Sequence, residues 1–120
     1  MIKSFAFVAY SVADVPRALA FYRDVVGLKP DEEVLKKTEG HWAEFDVGEG
    51  TFGIGNGSDL GIAPGSQASA AFETDDVKAV REQLLAQNVK VSELMDSPMC
   101  TTCFVTDPDG NRFALHQRKA

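Results

Sequence analysis

The sequence predicts an α+β fold: two tandem βαβββ modules forming a curved, mixed, mostly antiparallel sheet with helices outside. Three observations predict it. The segments 12–28 (VADVPRALAFYRDVVGL) and 74–89 (TDDVKAVREQLLAQNV) share one pattern of strand end, helix start, amphipathic helix and stop, about 62 positions apart. Further on, Thr51-Phe52-Gly53-Ile54 lies over Arg112-Phe113-Ala114-Leu115 at an offset of about 61. Each helical pattern is followed by short aromatic or β-branched runs separated by Gly- and Asp-rich turns, the signature of short strands.

The elements follow in order. Phe5–Tyr10 is aromatic and β-branched and reads as a strand. Asp14 caps a helix with Pro16 in its first turn, where a missing N–H costs nothing. Val15, Ala18, Leu19, Tyr22, Val25 and Val26 form its buried stripe, and Gly27 supplies a left-handed stop. Residues 32–38 are expected to form an exposed strand, with Asp31-Glu32-Glu33 as a charged edge that discourages sheet-to-sheet association. Trp42–Val47 and Thr51–Gly55 are strands joined by a Gly48-Glu49-Gly50 hairpin. In the second half Ser69–Glu73 is a strand. Asp75 or Asp76 caps a helix buried along Val77, Val80 and Leu84, and Asn88 ends it. Val89–Glu93, Cys100–Thr106 and Asn111–His116 are strands, the last two joined by Asp107-Pro108-Asp109-Gly110.

Length, charge and cysteine content narrow the rest. At 120 residues the chain is one domain, 1–120, divided into a first module at 1–57, a linker at 58–67 and a second module at 68–120. A 60-residue unit alone would bury only roughly 60% of its unfolded surface, so the halves are expected to share a core or pack closely. A net charge of −6 and a pI near 4.8 disfavour nucleic acid and anionic membranes as partners. No signal-peptide pattern and no membrane-length apolar run is visible, and two cysteines in an otherwise unmarked chain suit a reducing compartment. The expected location is cytoplasmic.

Val12-Ala13-Asp14 leading to Ala20-Phe21-Tyr22, then Gly27-Leu28, and Asp107-Pro108-Asp109-Gly110-Asn111 together resemble the vicinal oxygen chelate superfamily, over nearly the whole chain. That group includes glyoxalase I, extradiol dioxygenases, fosfomycin-resistance enzymes and bleomycin-resistance proteins. The resemblance implies that each half curls into a cup. It also implies that metal-using relatives place ligands on the first and last strands of each half. Carried over by position, those places are Phe7 and Ser69, and Gly53 and Ala114. Phe, Gly and Ala offer no side-chain donor and a lone Ser hydroxyl is a poor one, whereas a catalytic divalent site uses about three strong protein ligands. The resemblance therefore leads to an expectation of no metal and no cofactor.

Small residues at 53 and 114 with an aromatic at 7 suggest an apolar wall and free volume, a pocket for a small apolar or aromatic molecule. The competing reading is that neighbouring side chains fill the space. Alternation puts His116 on the face of Ala114, as a hydrogen-bond donor, a general acid/base or a framework residue. Cys100 and Cys103, three apart on a strand, point to opposite faces, which disfavours a joint metal site or disulfide. Cys100 and Thr102 share the face of Phe104, at a position where fosfomycin-type relatives carry a cavity Tyr. A reactive Cys100 would need a nearby cation or base, and His116 is the visible candidate. Trp42, a stacking platform, shares a face with Glu44, although the sequence does not say which face. His41 is expected to be exposed.

The function expected first is a metal-free, bleomycin-resistance-like protein that binds a small molecule in the cup and forms a homodimer. Its site would comprise Phe7, Trp42, Gly53, Ser69, Cys100, Thr102, Phe104, Ala114 and His116. A second reading is a lyase or dioxygenase using a displaced metal site (His116, Cys100, Glu44) or His116 acid/base chemistry. A third is an interaction protein with a vestigial cup.

Overall fold

The structure, a computed structural model, describes residues 6–57, 63–65, 69–98 and 100–119, with the backbone alone for Ser69. Most of the expected 58–67 linker lies outside the described residues. Contacts group the chain into two compact units, residues 1–66 and 67–120.

The first unit holds a three-stranded sheet in the order β1 (Val8–Val12), β3 (Gly50–Asn56), β2 (Trp42–Val47). β1 runs parallel to β3, and β2 and β3 form an antiparallel hairpin. Val47 pairs with Gly50, leaving Gly48-Glu49 as a two-residue turn, and Gly48 takes φ +60°. A glycine at the first turn position suits the twist of the flanking strands. α1 (Val15–Ala20) begins where the Asp14 carboxylate accepts the Arg17 amide at 3.1 Å. It continues into a π-helical turn, Phe21–Val25. Gly27 at φ +89° then lets the Leu28 amide bond back to the Tyr22 carbonyl, which ends the helix as its sequence predicts. Tyr22 meets Phe52 at 5.0 Å and Phe45 at 6.2 Å between ring centroids, and Tyr10 meets Phe52 edge-on at 5.2 Å. These buried rings form the core of the unit.

Two expectations for this unit are corrected. Residues 32–38 are not a strand: Glu32–Lys37 is a helix, α2, that packs beside β2, and strand-like pairing there is limited to an isolated bridge between Pro30 and Phe45. The reason is local. Asp31 caps the helix by accepting the Glu33 and Val34 amides, acidic residues fill the first turn, and Lys36 and Lys37 fill the last. This arrangement complements the helix dipole, and Glu33 and Lys37 add an i,i+4 pair. Asp31-Glu32-Glu33 is therefore a helix start rather than a strand edge. The first strand also begins later than Phe5–Tyr10 suggested, at Val8, where pairing with Phe52 begins.

The second unit repeats the arrangement. β4 (Ser69–Glu73) runs parallel to β8 (Arg112–Arg118), and β8 pairs antiparallel with β7 (Cys100–Thr106). The expected strand 89–93 is shortened to β5 (Lys90–Val91), and a further short strand beyond it, β6 (Met95–Asp96), was not expected; both pair with β7. α3 (Val77–Ala86) starts at Asp76, whose carboxylate accepts the Ala79 amide at 3.0 Å, and the Gln117 side chain accepts the Val77 amide at 2.9 Å. Asn88, at φ +61°, ends the helix. Val77, Leu84, Cys103, Val105, Phe113, Ala114 and Leu115 are the buried hydrophobic residues among those described in this half. Asp107 and Asn111, also buried, tie the β7–β8 turn. The Asp107 carboxylate accepts the Asp109 and Asn111 amides and the Asn111 side-chain amide. The Asp-Pro-Asp-Gly-Asn landmark is therefore a turn anchored at its two buried ends, with Pro108 and Gly110 exposed between them. No helix among the described residues is long and apolar enough to cross a membrane.

Candidate functional site

Side chains alternate across a strand, so each sheet has a helix side and an opposite side. In the first unit Trp42 pairs with Gly55 and Glu44 with Gly53, which puts Trp42 and Glu44 on the opposite side, together with Ala9 and Ser11. The face left open by the sequence is thus fixed. The indole lies directly on Gly53: a Cβ added there would stand 2.5 Å from Trp42 Cζ2 and 2.8 Å from Cη2. Phe7, 47% exposed, meets the same indole at 5.4 Å between centroids and 51° between planes. Trp42 Nε1 donates to Glu44 Oε2 at 3.0 Å. The room expected at Gly53 is not free volume. It is filled by the indole, which no residue with a Cβ would allow to lie so close.

In the second unit the opposite side carries Ala71 and Glu73 from β4, Arg112, Ala114, His116 and Arg118 from β8, and Cys100, Thr102, Phe104 and Thr106 from β7. Ser69 pairs with Arg112 on the same alternation. Ala114 is buried between the register partners Ala71 and Phe104. The Phe104 ring is covered by the Arg112 guanidinium at 4.5 Å, and both line a small cleft of about 240 Å³. His116 stands between Glu73 and Thr102 in register, and its Nδ1 meets Glu73 Oε1 at 2.5 Å. The other Glu73 oxygen accepts the Arg118 amide at 2.7 Å. Cys100 Sγ lies 3.4 Å from the Thr102 hydroxyl and 3.6 Å from the Ser97 hydroxyl, on the face that also carries His116, the register partner of Thr102.

These contacts set the protonation states. The Thr102 hydroxyl, then that of Ser97, and then the positive imidazole of His116 hold the Cys100 thiol below its ordinary pKa. The Glu73 carboxylate, with a smaller contribution from Cys100, holds His116 above its ordinary value. The Arg118 amide, followed by His116, keeps Glu73 low. Cys103 faces the helix side, fully buried, and burial pushes its thiol up. Both cysteines are free.

The structure thus gathers Phe7, Trp42 and Gly53 in one cluster, and Cys100, Thr102 and His116 in another. Phe104 and Ala114 lie beside the second, along the same face. Glu73, Ser97 and Arg112 were not among the predicted site residues. Glu73 was within reach of the sequence, because alternation from Ser69 puts residues 69, 71 and 73 on one face and the repeat sets that strand beside the one bearing His116. Ser97 precedes β7 and gave no signal.

The positions of relatives' ligands do not fit a divalent ion. Phe7, Gly53 and Ala114 have no donor atom, and the Trp42 ring occupies the place above Gly53 where a longer side chain would stand. Among the described residues no three His, Cys, Asp or Glu side chains are grouped so as to hold a metal. Glu44, considered above as a displaced ligand, is held by the indole N–H. A larger cleft of about 600 Å³ lies at the start of α3, bordered by Asp76, Thr101 and Gln117. Thr101 and Gln117 belong to the helix side, and none of the predicted residues reaches it. His41 is exposed, as expected.

Residues 4–115 match the sequence profile of the Glyoxalase/Bleomycin resistance protein/Dioxygenase superfamily. No functionally curated protein matches the chain. Solved structures share the fold along its length. TnmS3, an antibiotic binding protein from Streptomyces sp. CB03234, is 24% identical with a TM-score of 0.79 and 98% of each chain covered. A superfamily member from Sphaerobacter thermophilus DSM 20745 is 20% identical, with a TM-score of 0.82 and 98% of each chain covered. The lactoylglutathione lyase of Agrobacterium tumefaciens is 22% identical with a TM-score of 0.76, covering 98% of this chain and 95% of its own. With the repeat, the Asp-Pro-Asp-Gly-Asn turn and the profile match in agreement, the chain belongs to the Glyoxalase/Bleomycin resistance protein/Dioxygenase superfamily.

Proposed function

We propose that this protein binds a small, flat, apolar or aromatic molecule against the aromatic cluster of its first unit, without a metal at the positions of its relatives' ligands. One observation carries the reading: the indole of Trp42 is backed by Gly53 and flanked by the half-exposed ring of Phe7, at a position where the family resemblance implies a ligand in metal-using relatives. Aromatic side chains give large contact area at little conformational cost, and an indole held by Glu44 is already oriented. An antibiotic binding protein among the fold's neighbours agrees with small-molecule binding. We further propose that the protein works as a homodimer in the cytoplasm.

Trp42 is the only tryptophan, so its emission reports directly on the cluster. Titration with a panel of planar aromatic compounds should quench or shift that emission and raise the melting temperature for at least one of them. A broad panel that moves neither signal would overturn the reading. Sedimentation equilibrium would test the dimer, and a monomer at all concentrations would refute it.

A further inference from the structure

The polar cluster of the second unit has a chemistry that ligand binding does not use. Three side chains from three strands share one face: Glu73 of β4 meets His116 Nδ1 of β8, and Cys100 of β7 stands two residues along its strand from Thr102, the register partner of His116. Thr102 and Ser97 direct hydroxyls at the same sulfur. Cys100 and His116 are both partly exposed, so a reagent can reach them. The cysteine three residues on, Cys103, is fully buried on the other side of the same strand. We propose that Cys100, His116 and Glu73 form a nucleophilic site that adds to conjugated carbonyl compounds such as enones and quinones. The Cys100 sulfur is the nucleophile, His116 the proton donor, and Glu73 a positioning residue.

The class of substrate follows from the parts present. An activated sulfur needs a neighbouring base or cation, and a third group that orients that neighbour completes the constellation. Here the charge of His116, on the same face, favours the thiolate form of Cys100, and Glu73 holds Nδ1 and leaves the other ring nitrogen available. A thiolate beside an imidazolium holds one soft electron pair and one available proton, which is what conjugate addition consumes. The sulfur lone pair forms an S–C bond at the β-carbon. The C=C π pair moves toward the carbonyl and gives an enolate, and the His116 proton passes to that enolate. The product is a neutral thioether adduct with His116 neutral. No group leaves and no oxidant or reductant takes part. The other charged side chains on this face are Lys90 of β5 and Arg112 and Arg118 of β8, so Glu73 is the only anion among the described residues there.

The test uses the intact protein with two probes. N-ethylmaleimide adds by conjugate addition, and iodoacetamide alkylates by displacing iodide without taking up a proton. Peptide mapping should find Cys100 modified and Cys103 spared. The maleimide rate should rise with pH at a midpoint below that of a free thiol, and at neutral pH it should exceed the free-thiol rate by roughly tenfold. His116→Gln should cut the maleimide rate by roughly tenfold or more and the iodoacetamide rate by less, because only the first reaction needs the proton. Glu73→Gln should move the midpoint up while circular dichroism stays unchanged. A midpoint at or above that of the free thiol in the unaltered protein would overturn the proposal whatever the variants do. Equal losses with both probes in His116→Gln would overturn the role of His116 as acid.

Discussion

Gly53 of β3 and Ala114 of β8 stand at matching places in the two sheets, each on the middle strand between a parallel and an antiparallel neighbour. Their surroundings have diverged. Around Gly53 the partners are Ala9 and Glu44, with the Trp42 indole laid across the glycine and Phe7 against the indole. Around Ala114 they are Ala71 and Phe104, and one step along the face come Glu73, His116, Thr102 and Cys100. The helix sides have not diverged in this way. Phe52 with Phe45 in one sheet matches Phe113 with Val105 in the other, and Ile54 matches Leu115. The difference teaches which residues the scaffold needs. A buried core position loses several kcal/mol when truncated, so its apolar character is kept. A position facing away from the core is free to change chemistry, and the two units used that freedom in opposite directions, one aromatic and one titratable.

The comparison can be broken hardest at Gly53. Gly53→Glu places a carboxylate on the face of β3 that bears the indole, but its Cβ would meet the Trp42 ring at 2.5 Å. Chemical denaturation should show a loss of about 3 kcal/mol, in the upper range for overpacking. In a double-mutant cycle, Trp42→Ala should relieve most of the milder cost of Gly53→Ala. Additive effects would mean that the indole does not constrain the glycine.

Next in size is Trp42→Ala, which removes the aromatic platform from one unit only. For any compound that binds the unaltered protein, calorimetry should show affinity falling by about 1–3 kcal/mol, the range for losing an aromatic anchor. The same substitution should leave the labelling rate of Cys100 unchanged if the two faces act separately.

Asp31→Ala tests the place where the units differ in backbone: α2 in the first against β5 and β6 in the second. Loss of the cap should cost about 1 kcal/mol and lower helical circular dichroism slightly. No change in either signal would show that the cap does not hold α2.

The smallest effect is electrostatic. His116 has a raised pKa in the folded state, so its contribution to stability is present below its unfolded value and disappears as pH rises through the folded one. Glu73 has a lowered pKa, so its contribution is present above its unfolded value and disappears as pH falls through the folded one. The pair should therefore help most at mildly acidic pH, between the two. Nuclear magnetic resonance should place the His116 midpoint above that of a free imidazole and find it moved down in Glu73→Gln. An unmoved midpoint would refute the coupling.

The architecture was written into the chain because it rests on short-range signals. The repeat, the caps Asp14 and Asp76, the stop at Gly27 and the strands Trp42–Val47, Ser69–Glu73 and Cys100–Thr106 each depend on a few neighbouring residues. The helix at Glu32–Lys37 was also legible, in Asp31 and the change from acidic to basic residues along it, although the segment reads as a strand when those signals are passed over. The strands that carry Trp42 and His116, and the face that His116 shares with Ala114, could be read from spacing. What surrounds them could not. That Trp42 lies on Gly53, that Arg112 covers Phe104, and that Glu73 reaches His116 from 43 residues away follow from strand register and side-chain direction. Those are set only when strands distant in the chain pair, because a hydrogen-bonded register, unlike a helix cap, has no local sequence that encodes it.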